Sequence, residues 1–61
     1  MAEHRGVVVR VWASQEKTTA IPTFPSGGVS IDFREGHLLV RDVAWRVVAV
    51  YDLSVVESAY E

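Results

Sequence analysis

The sequence is poorest in the residues that usually reinforce very small domains. Cysteine is absent, which excludes disulfides, and the two histidines, His4 and His37, lack the short spacing that places two ligands on one metal ion. A core in a chain of 61 residues rarely contributes more than about 3 to 5 kcal/mol of net stability. With disulfides and structural metals set aside, and with no pattern that indicates a cofactor, self-association is the expected source of further stability.

Long hydrophobic runs and an excess of basic charge are also missing. No apolar stretch approaches the roughly 18 residues of a membrane span, and the polar residues 1–6 do not resemble a signal peptide. The formal net charge is -2, whereas a nucleic-acid-binding domain usually carries a basic excess. We therefore expect a cytoplasmic protein with no membrane partner, for which nucleic acid ranks below protein as a partner.

What the chain does have is alternation. Apolar residues recur at every second position, and no repeat or linker divides the sequence, so residues 1–61 are predicted to form a single small all-β domain. The first strand is predicted at residues 6–13. One of its faces carries Val7, Val9, Val11 and Ala13, and the other carries Val8, Arg10 and Trp12.

Turn residues divide the next part of the chain. Pro22 interrupts a possible strand at residues 18–24 and indicates an edge or a loop, because proline cannot donate to a neighbouring strand. The Pro-Ser-Gly-Gly sequence at residues 25–28 marks a turn before a third run, residues 29–34. In that run Val29, Ile31 and Phe33 are predicted to point inward. A two-residue hairpin loop at Glu35 and Gly36 then places Arg34 opposite His37 and Phe33 opposite Leu38.

Continuing this register predicts the last elements. The fourth strand spans residues 37–42 with Leu38 and Val40 inside, and a loop of Val43 and Ala44 pairs Val40 with Val47. The fifth strand is then predicted to bury Trp45, Val47, Ala49 and Tyr51. Residues 52–61 stay open between helix and strand, since Ser54 and Glu57 match a capping box while Val55 and Val56 favour a strand.

About five short strands in an antiparallel meander, with one turn of helix near the end, are typical of two architectures. The first is a small SH3-like barrel, and the second is a strongly curled open sheet. Such an architecture does not by itself indicate a function, so the candidate function has to come from individual residues.

The outward face of the predicted sheet is not uniformly polar. Leu39, Val48 and Val50 fall near one another on the fourth and fifth strands, and Val8 or Trp12 from the first strand could extend this group. Contiguous apolar patches on soluble proteins usually mark contact surfaces. The alternative is that the C-terminal segment of the same chain covers them.

Arginines share this predicted face. Arg41 and Arg46 are expected to be direct cross-strand neighbours, with Arg34 close by, and like charges in that position destabilise a sheet unless they are neutralised. Asp32 and nearby acids could supply the counter-charge. The alternative is an anionic partner, either an acidic protein surface or a nucleic acid with Trp12 as a stacking platform.

No pattern of residues predicts catalysis. The histidines lie near the chain start and beside a tight turn, no serine stands in a nucleophile elbow, and the aspartates are dispersed over different strands and turns. We therefore predict a non-enzymatic interaction module that forms homo-oligomers or binds another protein, with a small nucleic-acid-binding β-barrel as the second hypothesis. The predicted contact residues are Trp12, Arg34, Leu39, Arg41, Arg46, Val48 and Val50.

Overall fold

The computed structural model describes residues 6–61, which form two three-stranded antiparallel sheets. The strands are β1 (Val8–Trp12), β2 (Ala20–Thr23), β3 (Ser30–Arg34), β4 (His37–Arg41), β5 (Val47–Asp52) and β6 (Val56–Tyr60), and Leu53–Val55 forms a 3₁₀ turn. The sheets have the strand orders β2-β1-β6 and β3-β4-β5, and within residues 6–61 no strand of one sheet pairs with a strand of the other. The all-β prediction is confirmed, with six strands instead of about five.

The additional strand, β6, lies in residues 52–61, for which the sequence did not distinguish helix from strand. The β-branched Val56 begins β6, which pairs antiparallel with β1. The 3₁₀ turn before it is capped by Asp52, whose side chain accepts a hydrogen bond from the backbone N–H of Ser54, so the Ser54 capping box is not used. A long-range pairing with the first strand therefore decides the conformation of the C-terminal segment.

The core lies between the inner faces of the two sheets. Val7 and Val9 from the β1 side and Leu38 and Val40 from β4 are fully buried. Val11, Ile31, Ala49, Tyr51, Val56 and Ala59 pack against them. The inward positions predicted for Leu38 and Val40 are confirmed, and Val7, Val9 and Val11 share one side of the first strand as period-two alternation predicted.

A hydroxyl pair at the edge of the core connects the sheets. The Thr23 hydroxyl lies 2.8 Å from the carbonyl oxygen of Val9 and 2.8 Å from the hydroxyl of Tyr51. Because the carbonyl can only accept, Thr23 donates its single proton there, and Tyr51 donates to Thr23. This bond joins β2 to β5. Pro22 stands on β2, at the edge of its sheet, as predicted.

The hairpin between β3 and β4 has the predicted register. Glu35 and Gly36 both have positive φ, 51° and 82°, as a primed two-residue turn requires, and Arg34 faces His37 while Phe33 faces Leu38. The predicted burial of Phe33 is wrong, and so is that of Val29, since both side chains are exposed. Phe33 lies near the end of an edge strand, and Val29 precedes the first residue of β3.

The hairpin between β4 and β5 departs from the prediction. Its loop contains Val43, Ala44 and Trp45, closed by hydrogen bonds from Trp45 N–H to the Asp42 carbonyl (2.9 Å) and from Asp42 N–H to the Arg46 carbonyl (2.9 Å). A bulge follows, and Val40 therefore faces Ala49 instead of Val47.

The two-residue shift decides which side chains of β5 are buried. Because the shift is even, Ala49 and Tyr51 keep their predicted face and still point toward the core. The core positions predicted for Trp45 and Val47 are wrong, because Trp45 falls in the loop and Val47 at the bulge, and both are exposed.

Among residues 6–61, no helical segment is long and apolar enough to cross a membrane.

Candidate interaction surface

The outer face of the β3-β4-β5 sheet carries the central residues of the predicted site. Leu39 is flanked by the buried Leu38 and Val40, so alternation turns it away from the core. It lies directly between Asp32 on β3 and Val50 on β5. Val48 stands two residues before Val50 on the same strand. The register confirms that Leu39 and Val50 are neighbours, whereas Val48 falls at the bulge without a partner on β4, so its place beside them stays a prediction. We call these three residues the aliphatic row.

The aliphatic row is open to solvent. Val50 is 58% exposed and Val48 40% exposed, while Leu39 is half-buried between its neighbours. The C-terminal strand β6 pairs with β1 in the other sheet, so it does not lie over this row. The alternative that the C-terminal segment covers the row is wrong. A free apolar surface remains on a very small protein.

The tip of the β4-β5 hairpin enlarges this apolar surface with residues that sequence reasoning missed. Val43 is 87% exposed and Trp45 is 66% exposed. Trp45 has φ of 68°, a left-handed conformation that is rare for a bulky residue and in three-residue hairpin loops usually belongs to glycine. Asp42 followed by three loop residues was the available signal, because aspartate is common at the first position of such turns.

The strained conformation of Trp45 is stabilised by Arg41. The Arg41 guanidinium carbon lies 5.2 Å from the centroid of the Trp45 ring, within cation-π range, and Nη1 of Arg41 donates to the Trp45 carbonyl over 3.2 Å. Residues held at unfavourable φ cluster at functional sites. The Trp45 ring, held by Arg41, lies beside the sheet and remains exposed to solvent.

The predicted arginines do not form an unneutralised stripe. Arg41 faces Val47 across the sheet, and the prediction that it neighbours Arg46 is wrong because Arg46 lies in the loop connection before β5. Asp32 is 3.4 Å from Arg34 and 3.7 Å from Arg41, and Arg46 forms a 3.1 Å ion pair with Asp42. Such surface pairs contribute little to stability, but they neutralise the positive charge locally.

Asp42 organises the hairpin loop. One of its carboxylate oxygens accepts hydrogen bonds from the backbone N–H groups of Ala44 and Arg46, both at 2.9 Å, and the other oxygen accepts from the Arg46 guanidinium. The backbone N–H of Arg46 has the largest effect and, with the Arg46 charge, it lowers the pKa of Asp42. The loop that presents Trp45 therefore depends on an ionised aspartate.

Acid should weaken the fold through Asp42 and two other carboxylates. The pKa of Asp52 is lowered mainly by the Ser54 backbone N–H, and that of Glu57 mainly by the Ser58 hydroxyl. A lowered folded-state pKa gives stability that is present above the unfolded pKa near 4 and is lost as pH falls through the folded pKa. Thermal unfolding followed by circular dichroism should show Tm falling from about pH 5 to about pH 2.

The Asp42→Asn variant should show a smaller decrease in Tm over the same range, because one of the three titrating groups has been removed. A wild-type Tm that stays constant through this range would contradict the stabilising role of these hydrogen bonds.

Trp12 lies apart from the aliphatic row. It stands at the end of β1, on the outer side of the other sheet, and the inner faces of the two sheets pack against each other, so their outer faces point apart. Val8, which was expected to extend the row, is buried opposite Tyr60. Trp12 instead borders a shallow cleft of about 280 Å³. The cleft is lined by Trp12, Ala13, Ser14, Gln15, Lys17, Ser54 and Val55.

His37 is exposed, with Nδ1 at 3.2 Å from the carbonyl oxygen of Glu35. Across residues 6–61, no three His, Asp or Glu side chains are grouped so that they could hold a metal ion. His4 lies outside the described residues.

Comparison with known proteins finds no protein-family model, no curated protein and no solved structure that matches this chain. A functional assignment therefore has to come from the surface itself.

Proposed function

We propose that this protein is a non-enzymatic interaction module that self-associates through the outer face of the β3-β4-β5 sheet. The observation that supports the proposal is the uncovered aliphatic row, Leu39, Val48 and Val50, continued by Trp45 at the hairpin tip. Exposed apolar patches of this kind mark contact surfaces, and aromatic and arginine residues are enriched in interfaces. A thin core of four fully buried side chains supports the same proposal, because burial of a second surface would add stability.

The charges around the row favour a protein partner over nucleic acid. Arg34, Arg41 and Arg46 each lie within 4 Å of an aspartate, so they would form the polar rim around an apolar centre. A nucleic-acid surface would instead need unpaired cations along the sheet. Trp12, on the other sheet, is proposed as a separate contact point beside its cleft. The lack of cysteine supports a cytoplasmic location for this module.

For the architecture that presents this surface, we propose an SH3-like barrel. Three features support it: β6 returns to pair with β1, a single 3₁₀ turn separates β5 from β6, and the inner faces of both sheets share one core. Each feature belongs to a small barrel built from two curled sheets.

Sedimentation equilibrium tests the proposed self-association. The wild type is expected to form a dimer or larger oligomer at high micromolar concentration, and Val48→Glu should sediment as a monomer, because the substitution places a charge in the apolar centre. Val29→Glu is the matched control. Val29 is also a valine, 39% exposed against 40% for Val48, but it precedes β3 and lies outside the aliphatic row, so this variant should associate like the wild type.

Two results would contradict the proposal. One is a wild type that stays monomeric at the highest concentration. The other is equal loss of association in Val48→Glu and Val29→Glu, which would place the contact elsewhere.

A further inference from the structure

The free edge of β5 has hydrogen-bonding groups without a neighbouring strand in residues 6–61. The Arg41 carbonyl accepts from Val29 N–H (2.8 Å), so residue 41 directs its backbone polar groups toward β3. The Gly36 carbonyl accepts from Leu53 N–H (3.0 Å), so residue 36 directs its carbonyl toward the β5 side. Backbone direction alternates along antiparallel strands. Ala49 and Tyr51 therefore bond to β4, and Val50 points its N–H and C=O groups outward. On either side of Val50 the regular alternation ends, at the bulge beside Val48 and at the 3₁₀ turn that Asp52 caps.

Of the four strand edges that the two sheets present, β5 has the least protection against pairing with another chain. Proline and charged side chains normally protect edge strands. β2 contains Pro22, β3 contains Asp32 and Arg34, and β6 contains Glu57. β5 is the longest of the six strands and reads VVAVYD, with a single charge at its last residue and a bulge confined to its beginning.

We infer that β5 pairs antiparallel with β5 of a second copy of this chain, about a two-fold axis at Val50. This pairing rests on the self-association proposed above and adds a contact along the strand edge to the one on the outer face. Val50 then faces the second copy's Val50, and Val48 faces the second copy's Asp52. Val50 gains a donor and an acceptor in each copy, and the Asp52 N–H faces the second copy's Val48 carbonyl, so roughly four interchain hydrogen bonds form in all. The two three-stranded sheets become one six-stranded sheet.

The side chains and charges of the strand suit this partner. Across the seam the order becomes Leu39, Val50, Val50 and Leu39, so the aliphatic row continues from one copy to the other. The two Asp52 carboxylates end up four residues apart along the strand, about 14 Å, which exceeds the Debye length of about 8 Å in physiological salt. A second copy therefore provides hydrogen-bond partners for the free edge of β5, and the two Asp52 carboxylates stay apart.

Disulfide trapping tests the pairing in a chain that has no natural cysteine. In the inferred register residue 50 faces itself at about 5.5 Å between Cα atoms, which suits a disulfide, so oxidised Val50→Cys should become a covalent dimer. Val48→Cys is the matched control, on the same strand and beside the same row, but its two copies would be about 14 Å apart. We expect Val50→Cys to cross-link at least roughly tenfold faster, because paired thiols reach effective concentrations in the millimolar range.

Each outcome has a defined consequence. A wild type that sediments as an oligomer while Val50→Cys stays uncross-linked would overturn the edge pairing and leave self-association standing. Equal cross-linking of both cysteine variants would overturn the register. A monomeric wild type would remove both proposals. Circular dichroism under reducing conditions verifies that both variants are folded.

Discussion

Leu38→Ala should unfold a large part of the population at room temperature. The Leu38 side chain has no solvent exposure and packs in the four-residue core with Val7, Val9 and Val40. Truncating a buried leucine costs about 2 to 5 kcal/mol, which is the lost transfer energy plus the cavity left behind. A core of this size supplies only about 3 to 5 kcal/mol of net stability. The loss expected from truncating Leu38 is therefore as large as most of the net free energy of unfolding.

Leu39→Ala is the matched control for this prediction. Leu39 is the next residue on β4 but points to the opposite face, where it is only half-buried, so its truncation should cost less than about 1 kcal/mol. Urea unfolding at low protein concentration, followed by far-ultraviolet circular dichroism, measures both variants without a contribution from association. Similar losses for the two leucines would show that the alternation along β4 is wrong.

The contrast between these neighbours could be predicted because two local signals agree. Alternation along residues 29–34 and a glycine-containing two-residue turn determine the β3-β4 register from short-range information alone. That register orients Leu38 inward and Leu39 outward. It also identified the outward position of Val50, because the later two-residue shift did not change its face.

The β4-β5 loop could not be predicted from the same signals. Its third residue adopts positive φ without being glycine or asparagine, so turn statistics pointed to a shorter loop. The bulge beside Val40 then absorbed the extra length. As a result the Trp45 side chain, which its apolar character favours for the core, is exposed and packs against the Arg41 guanidinium. The loop geometry depends on Asp42 accepting two backbone hydrogen bonds, and alternation contains no information about such bonds.

Long-range packing explains why the other predictions about Trp12, Val8 and the C-terminal segment failed or stayed undecided. Trp12 faces outward as alternation indicated, but which outward residues share a surface depends on how the two sheets stack. The pairing of β6 with β1 joins segments more than 40 residues apart. Burial of Val8 opposite Tyr60 follows from that pairing.

Gly28→Ala should be the second strongly destabilising change, by about 1 to 3 kcal/mol. Gly28 is buried where the two sheets meet: its carbonyl accepts from Val7 N–H (3.1 Å) and its N–H donates to the Pro25 carbonyl (3.1 Å). A Cβ at this position would overlap Cγ1 of Val40 and come within 3.3 Å of the Pro25 oxygen. Val40 is fully buried and β-branched, so its methyl group cannot rotate away easily.

A double-mutant cycle identifies the cause of that loss. Val40→Ala removes the methyl group that a new Cβ at residue 28 would overlap, so the combined variant should lose less stability than the sum of the two single variants. Residues in contact show coupling of about 0.5 to 3 kcal/mol, whereas independent sites add within about 0.5 kcal/mol. Strict additivity in urea unfolding would assign the loss to the Pro25 contact or the backbone instead of Val40. Coupling between the two substitutions would show that the Gly28 backbone must approach Val40 closely. This close approach is what allows the segment after the 25–28 turn to pack against the core.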